Sequence, residues 1–233
     1  MMRLAEVVSC STEALMRMVY PAYCGVCSAF LELRERWLCA PCLDKLQRLK
    51  RNPEDSLIDS KLQHVDEAWA LYPYRSPVRE AIFAVKFEKK RQVIRIFQED
   101  LRSFAHLIKT LTTYDALIPI PLDRSKLIER EFNQAELIAR FMASVLKTPV
   151  QNKILQKHYS TAPQSRLNKE ERLANLLGTF EVSTPRKVRD RAFLLVDDIF
   201  TTGATAEEAA RTLKRQGAKR VDLFALARTA LKS

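Results

Sequence analysis

The sequence predicts an α/β fold, a mainly parallel sheet flanked by helices and preceded by a small cysteine-rich module. Near the C-terminus an unalternating apolar run, residues 193–196, is followed by a helix-periodic stretch and another strand candidate over 219–227. That is the order of a strand, a crossover helix and a parallel strand. Residues 116–120 form another buried-strand candidate, ended by Pro121. Four of the five cysteines stand in two Cys-x-x-Cys pairs between residues 24 and 42.

From the N-terminus, Leu4, Val7, Val8, Leu15, Met18 and Val19 fall at helical spacing and predict a short amphipathic helix. Glu6 and Glu13 interrupt its apolar positions, so it reads as neither a signal peptide nor a membrane span. Packing on its own protein and anchoring at a membrane surface are its two uses, the first the more natural, and a cytoplasmic protein is expected. Cys10 on that helix reads as a small buried hydrophobe.

Cys24-Gly-Val-Cys27 and Cys39-Ala-Pro-Cys42 are separated by eleven residues. Each turn presents two thiolates to one point, and four sulfurs complete a tetrahedron around Zn²⁺. The gap suits the hairpin of a zinc ribbon with Cys24, Cys27, Cys39 and Cys42 as ligands. Two disulfides or four free thiols are the other uses of these residues, the disulfides less natural because the rest of the chain looks cytosolic, where thiols stay reduced. A closed four-sulfur site leaves no open position, so the expected metal is structural.

Residues 45–61, with Arg48, Lys50, Arg51, Asn52 and Pro53, read as a short helix followed by a polar linker. Aliphatic and aromatic content rises again at Trp69, Leu71 and Tyr72, which sets an expected division into a module of residues 1–60 and a main domain of 61–233. Within residues 75–109, Ile82, Phe83, Val85, Val93, Ile94, Phe97 and Leu101 alternate with basic residues such as Arg79, Lys86, Lys89, Arg91 and Arg95. This predicts two amphipathic helices with positive polar faces, which in most proteins are only solvated. The net charge of +11, from 39 basic and 28 acidic residues, suits phosphorylated small molecules, nucleic acid or an anionic membrane surface without choosing among them.

The densest chemistry follows residue 196. Asp197 and Asp198 stand at the strand end, and Thr201, Thr202, Gly203, Ala204 and Thr205 make the turn. Ala206, Ala209, Ala210 and Leu213 then keep helical spacing up to Gly217, which is placed for a C-terminal cap. In parallel sheets ligands bind beyond the carboxyl ends of the strands, where this turn lies. Gly203 lets backbone amides approach a phosphate at the helix's positive end, and the threonine hydroxyls add donors. Two carboxylates would repel a phosphate, so they serve the vicinal hydroxyls of a ribose, directly or through Mg²⁺. The string predicts a site for a ribose 5-phosphate; plain helix capping would explain one residue, not the ordered set.

The run from Val196 to Thr205 resembles the phosphoribosyl-diphosphate (PRPP) signature of type I phosphoribosyltransferases. The whole chain resembles the ComF/GntX-like proteins, which join an N-terminal zinc ribbon to a phosphoribosyltransferase domain. That likeness is carried by the four cysteines, Pro119-Ile120-Pro121-Leu122, Phe132-Asn133-Gln134-Ala135-Glu136, and Thr161-Ala162-Pro163-Gln164 with Glu171-Arg172. It implies PRPP with Mg²⁺ as the ligand, the two aspartates on the ribose, residues 201–205 on the 5-phosphate, and the turn at Arg124 on the diphosphate. Asp123 and Glu131 depart from the family pattern, which carries a neutral or basic residue and a glycine there. The likeness equally implies a tie to DNA uptake in natural transformation, with the competence machinery and single-stranded DNA as partners, the DNA on the basic faces of residues 75–109, and no turnover. Residues 132–146 read as an amphipathic helix that Asn133 and Gln134 either cap or extend toward a ligand. The polar stretch 156–168, with Lys157, His158, Gln164 and Arg166, is the expected mobile loop over the substrate, an idle surface loop being the other reading.

Overall fold

The computed structural model describes residues 21–33, 35–52, 54–58, 62–157 and 178–229. The helix expected over residues 1–20, with Cys10, and the segment 158–177, with His158, Gln164 and Arg166, lie outside them. In chain order the elements are α1 (Ala40–Leu49), β1 (Ala68–Pro73), α2 (Val78–Phe87), α3 (Gln98–Leu111), β2 (Ala116–Pro119), α4 (Arg124–Arg130) and α5 (Gln134–Leu146). There follow β3 (Leu155–Lys157), β4 (Phe180–Val182), β5 (Ala192–Phe200), α6 (Ala204–Arg215) and β6 (Arg220–Arg228).

The four long strands form one parallel sheet in the order β1-β6-β5-β2. Its central strand explains the unalternating apolar run. Leu194 and Val196 enter one core with Phe104, Ile138 and Phe224, from α3, α5 and β6. Phe193 and Leu195 enter the other with Ala209 and Leu213 of α6 and with Ala225. A strand buried on both faces has no polar side to show.

Three boundaries differ from expectation. β5 does not stop at residue 196: Asp197 pairs with Ala225, Ile199 with Ala227 and Phe200 with Arg228. The two acids therefore continue the ladder and, being consecutive, leave the strand on opposite faces. The helix read from residue 45 begins at Ala40, with Pro41 in its first turn, where a missing amide costs nothing. The third concerns residues 51–58, which lie along β1. Arg51 N–H donates to Leu71 C=O at 2.9 Å and Ile58 N–H to Ala68 C=O at 2.7 Å. Leu57 bridges Trp69 antiparallel, so this stretch is not a free linker.

The cysteine module is docked on the sheet domain. Cys24, Leu31, Leu38 and Leu46 share a core with Trp69, Leu71 and Ile94, and each fully buried leucine contributes roughly 1.5–3 kcal/mol. Lys50 closes the seam by pairing with Asp100 at 2.5 Å, and that carboxylate also accepts the Tyr72 hydroxyl. The basic stretch 75–109 forms α2 and α3 with a 3-10 segment, Arg91–Phe97, between them. Many of its cations are paired, Lys90 with Glu88 and Arg102 with Glu99 locally and Lys86 with the distant Asp198, at 2.7–2.8 Å. Among the described residues no helix is long and apolar enough to cross a membrane.

Candidate functional site

A hairpin and a helix start build the cysteine cluster. Tyr23 bridges Phe30, and Cys24 C=O accepts the Ser28 N–H at 3.0 Å, which turns the chain so that Cys24 and Cys27 converge. Cys39 is the N-cap of α1 and Cys42 lies in its first turn. Gly25 lets the hairpin lie against Trp37, since a Cβ there would stand 2.4 Å from the indole ring.

The four Sγ atoms lie within 4.8 Å of one another, all as free thiols, with Cys27 and Cys39 at 3.5 Å. Sulfurs about 2.3 Å from a central zinc are separated by about 3.8 Å in a tetrahedron, so the donor set fits that ion. Its charges call for a cation as well. Burial opposes ionisation of Cys24, but the amides of Cys27, Cys39 and Val26 outweigh it and lower the thiol to about 6. Burial and the neighbouring sulfurs push Cys42 far up. Thiols crowded this closely cannot all ionise unless a positive ion joins them.

The second site lies at the carboxyl edge of the sheet. Gly203 precedes α6 with φ +79°, and a Cβ on it would meet the Phe200 ring at 2.8 Å and Leu62 at 2.9 Å. Backbone conformation and space both require glycine. The Glu207 carboxylate accepts the amides of Gln63 and His64 at 3.1 and 3.2 Å and meets His64 Nδ1 at 2.6 Å, which holds residues 62–66 beside the turn.

One cleft of about 360 Å³ brings Asp197, Asp198, Thr201 and Thr205 together. Gly203 lines a smaller recess beside it with Asp197, Thr201 and Thr205. Thr202 is exposed, its Oγ1 accepting the Ala204 N–H at 3.4 Å, and neither Thr202 nor Ala204 lines these cavities. Arg124 is not in the cleft. It is exposed at the first position of α4, and the helical turn carries Lys126 and Arg130, four residues apart on another face, into the lining instead. Lys86 and Lys157 complete the cations there.

Lys86 Nζ meets Asp198 Oδ2 at 2.8 Å, and the Asp198 amide donates to Asp197 Oδ1 at 2.8 Å. Burial, with the Asp198 charge adding to it, pushes Asp197 up to about 7, against the Asp198 amide and Lys86. Such a carboxylate favours a cation or a hydroxyl at its side. Asp123 brings no free negative charge, because Lys157 and Lys126 stand at 3.2 and 3.6 Å from it. Asn133 caps α5 by accepting the Ala135 N–H at 3.0 Å and donates to Ile120 C=O at 2.9 Å.

Sequence reasoning had placed Lys86 on a solvated face and left Lys126 and Arg130 out. The four-residue spacing of Lys126 and Arg130 after Pro121 was a usable signal. Lys86 had none, because its partner lies on a strand far along the chain.

Glu131 closes α4 at φ +66°, the backbone that glycine adopts without strain, and its side chain is hydrogen-bonded to Lys89. Glu131→Gly and Glu131→Ala both lose that bond, so their difference isolates the backbone. The glycine variant is expected to melt about 2–4 °C above the alanine one. Equal midpoints in a thermal scan would show that the turn carries no strain.

A parallel sheet with strand-end acids, a glycine turn and a helix is the architecture of the type I phosphoribosyltransferases, and residues 133–231 match the phosphoribosyl transferase domain. Competence protein F of Haemophilus influenzae is 26% identical over 224 residues, covering 88% of this chain and 96% of that protein. The DNA utilization protein YhgH of Shigella flexneri is 30% identical over 159 residues, covering 67% and 69%. Competence protein ComFC of Bacillus subtilis is 30% identical over 161 residues, covering 69% and 63%. The chain belongs to this ComF family, with a four-cysteine cluster ahead of its phosphoribosyltransferase fold.

Proposed function

We propose that the chain binds PRPP with Mg²⁺ in the 360 Å³ cleft and transfers its phosphoribosyl group to a nucleophilic acceptor such as a base. The observation that carries this is the shared cleft of Asp197, Asp198, Thr201 and Thr205 with the surrounding cations. Within the turn of residues 201–205, Thr201, Gly203 and Thr205 hold the 5-phosphate by amides and hydroxyls, and the two aspartates hold the ribose hydroxyls. Asp197 and Asp198 are the residues that would hold Mg²⁺, which would supply positive charge against the diphosphate. Lys126, Arg130 and Lys157 neutralise the leaving diphosphate, the part first given to Arg124. Attack at C1 needs no covalent protein nucleophile, so the residues act by positioning and by charge. Residues 1–60 serve as a module held by structural zinc on the catalytic domain of 61–233.

Calorimetric titration with PRPP and Mg²⁺ tests the reading. The native chain is expected to give heat, and Asp198→Asn, which removes one ribose-facing charge, to bind at least about ten-fold more weakly. Equal affinity in the two would refute it.

A groove of about 650 Å³ between the cysteine module and the 3-10 segment supports a second reading, an accessory protein that binds single-stranded DNA without turnover. It presents Trp37, Arg36 and Arg95 beside an apolar floor of Leu38, Leu43 and Ile96. A stacking ring with flanking cations suits single strands, and the relatives are named as competence and DNA utilization proteins. Pyrophosphate release from PRPP with a panel of bases separates the two. No release with any base, beside oligonucleotide binding whose log affinity falls about 0.7 per phosphate contact per decade of salt, favours the accessory role.

A further inference from the structure

We infer that Lys86 competes with a divalent cation for the acid pair, so that Asp197 and Asp198 take such an ion only weakly while the ammonium holds Asp198. The inference rests on the reading that the pair is a seat for Mg²⁺ in the cleft.

The two acids meet different neighbours. Asp198 follows Leu194 and Val196 at intervals of two along β5, on the face whose core contains Val78, Ala81, Ile82 and Val85 of α2. Asp197 follows Phe193 and Leu195, which belong to the core on the α6 side, and of the two acids it is the one that lines the recess at Gly203. Lys86 comes four residues after Ile82, which brings it to the buried side of its helix, whereas Phe83 and Phe87 are half exposed. Its ammonium reaches Asp198 Oδ2 at 2.8 Å, with only 15% and 12% of the two side chains exposed.

The other cations of the lining are engaged elsewhere. Lys126 and Lys157 pair with Asp123, and Arg130 stands over the Phe87 ring and donates to Gln134. Among the described residues Lys86 is the one lining cation paired with either acid, and Asp198 is its one ion-pair partner. Carboxylate oxygens are the donors that a hard divalent cation seeks, and here one of them already holds a cation of the protein's own. Mg²⁺ takes its oxygen ligands at about 2.0–2.1 Å, so an ammonium on the same oxygen would stand beside it as a like charge. A pair this little exposed is screened only weakly by salt. Asp198 Oδ2 therefore holds Lys86 or a divalent ion, not both. Lys86 acts through Asp198, as a positioning residue that sets the cation preference of the cleft.

Mn²⁺ binding to the full chain without ligand, read by electron paramagnetic resonance of the free ion, tests this. Lys86→Met removes the charge, Lys86→Gln removes it but keeps a donor for Asp198, and Lys86→Arg keeps a cation. A single charge within about 4–6 Å changes a carboxylate's proton affinity by about 10- to 1,000-fold, and the same field acts on a metal ion. Mn²⁺ affinity is accordingly expected to rise about ten-fold or more in the two neutral variants and to hold within about two-fold of native in Lys86→Arg. Adding Asp198→Asn to Lys86→Gln is expected to abolish the gain. The ion should also raise the melting midpoint of the neutral variants more than that of the native chain, a response that a damaged fold does not give. Equal Mn²⁺ affinity in the native chain and both neutral variants overturns the competition, as does a gain that survives Asp198→Asn or is matched by Lys86→Arg. Titration with PRPP and Mg²⁺ keeps the two failures apart. A native chain that binds PRPP while Mn²⁺ affinity ignores Lys86 loses the competition alone. One that binds none while the neutral variants gain Mn²⁺ keeps the competition and loses the reading of the cleft.

Discussion

Cys42→Ser is expected to strip the chain of one zinc ion and to lower its thermal midpoint by about 10 °C or more. Cys42 is buried beside Cys24 and Cys39, and the cluster sits at the head of α1, so losing one ligand unties both the hairpin and the helix start. The damage does not stay local. Leu31, Leu38 and Leu46 share their core with Trp69 and Leu71 of β1, so a loosened module uncovers the edge of the sheet domain. A serine hydroxyl cannot replace a thiolate at zinc, and three remaining sulfurs leave the site open. Elemental analysis gives the stoichiometry, and scanning calorimetry of the variant beside chelator-treated native chain gives the midpoint. Native protein purified without zinc, or a variant that melts with it, would remove the metal from the account.

Asp197→Asn is expected to move stability the other way while abolishing PRPP binding. Burial and the Asp198 charge raise the Asp197 carboxyl from 3.8 to about 7. Between those values the unfolded chain binds fewer protons than the folded one, so this residue makes the protein less stable as pH rises from about 4 to 7. Its penalty is full above 7 and absent below the ordinary carboxylate range. Asparagine keeps the oxygen that accepts the Asp198 amide and carries no charge. The variant should therefore melt about 4 °C or more above the native chain at pH 8, with the gap narrowing toward pH 5. Asp198→Asn is the contrasting case, since it leaves Lys86 without its 2.8 Å partner and should not stabilise. Melting curves of both variants across pH check the sign. A gap for Asp197→Asn that widens on acidification would contradict the assigned cause.

The strand, turn and helix around Gly203 were legible because each signal is local. An apolar run without alternation marks a doubly buried strand, and a glycine between threonines marks a turn that opens a helix. The cysteine pairs were legible for the same reason, since their spacing alone brings two sulfurs to a point. The end of β5 was misread because Asp197 and Asp198 are polar, yet β6 supplies hydrogen-bond partners as far as Phe200. Arg124 belongs to the turn that the family likeness assigns to the diphosphate, but it opens a helix, and the faces of a helix separate neighbours in sequence.

From its order of residue types alone, this chain determined a parallel α/β sheet with a glycine-containing turn before a helix and a four-thiol module. Only the tertiary structure decided that Lys86 meets Asp198, that Lys126, Arg130 and Gln134 line the cleft in place of Arg124, and that the module shares its core with β1. Helix and strand signals depend on neighbours within a few residues. Ion pairs, cleft linings and shared cores depend on distance through space, which exists only once the helices have packed on the sheet.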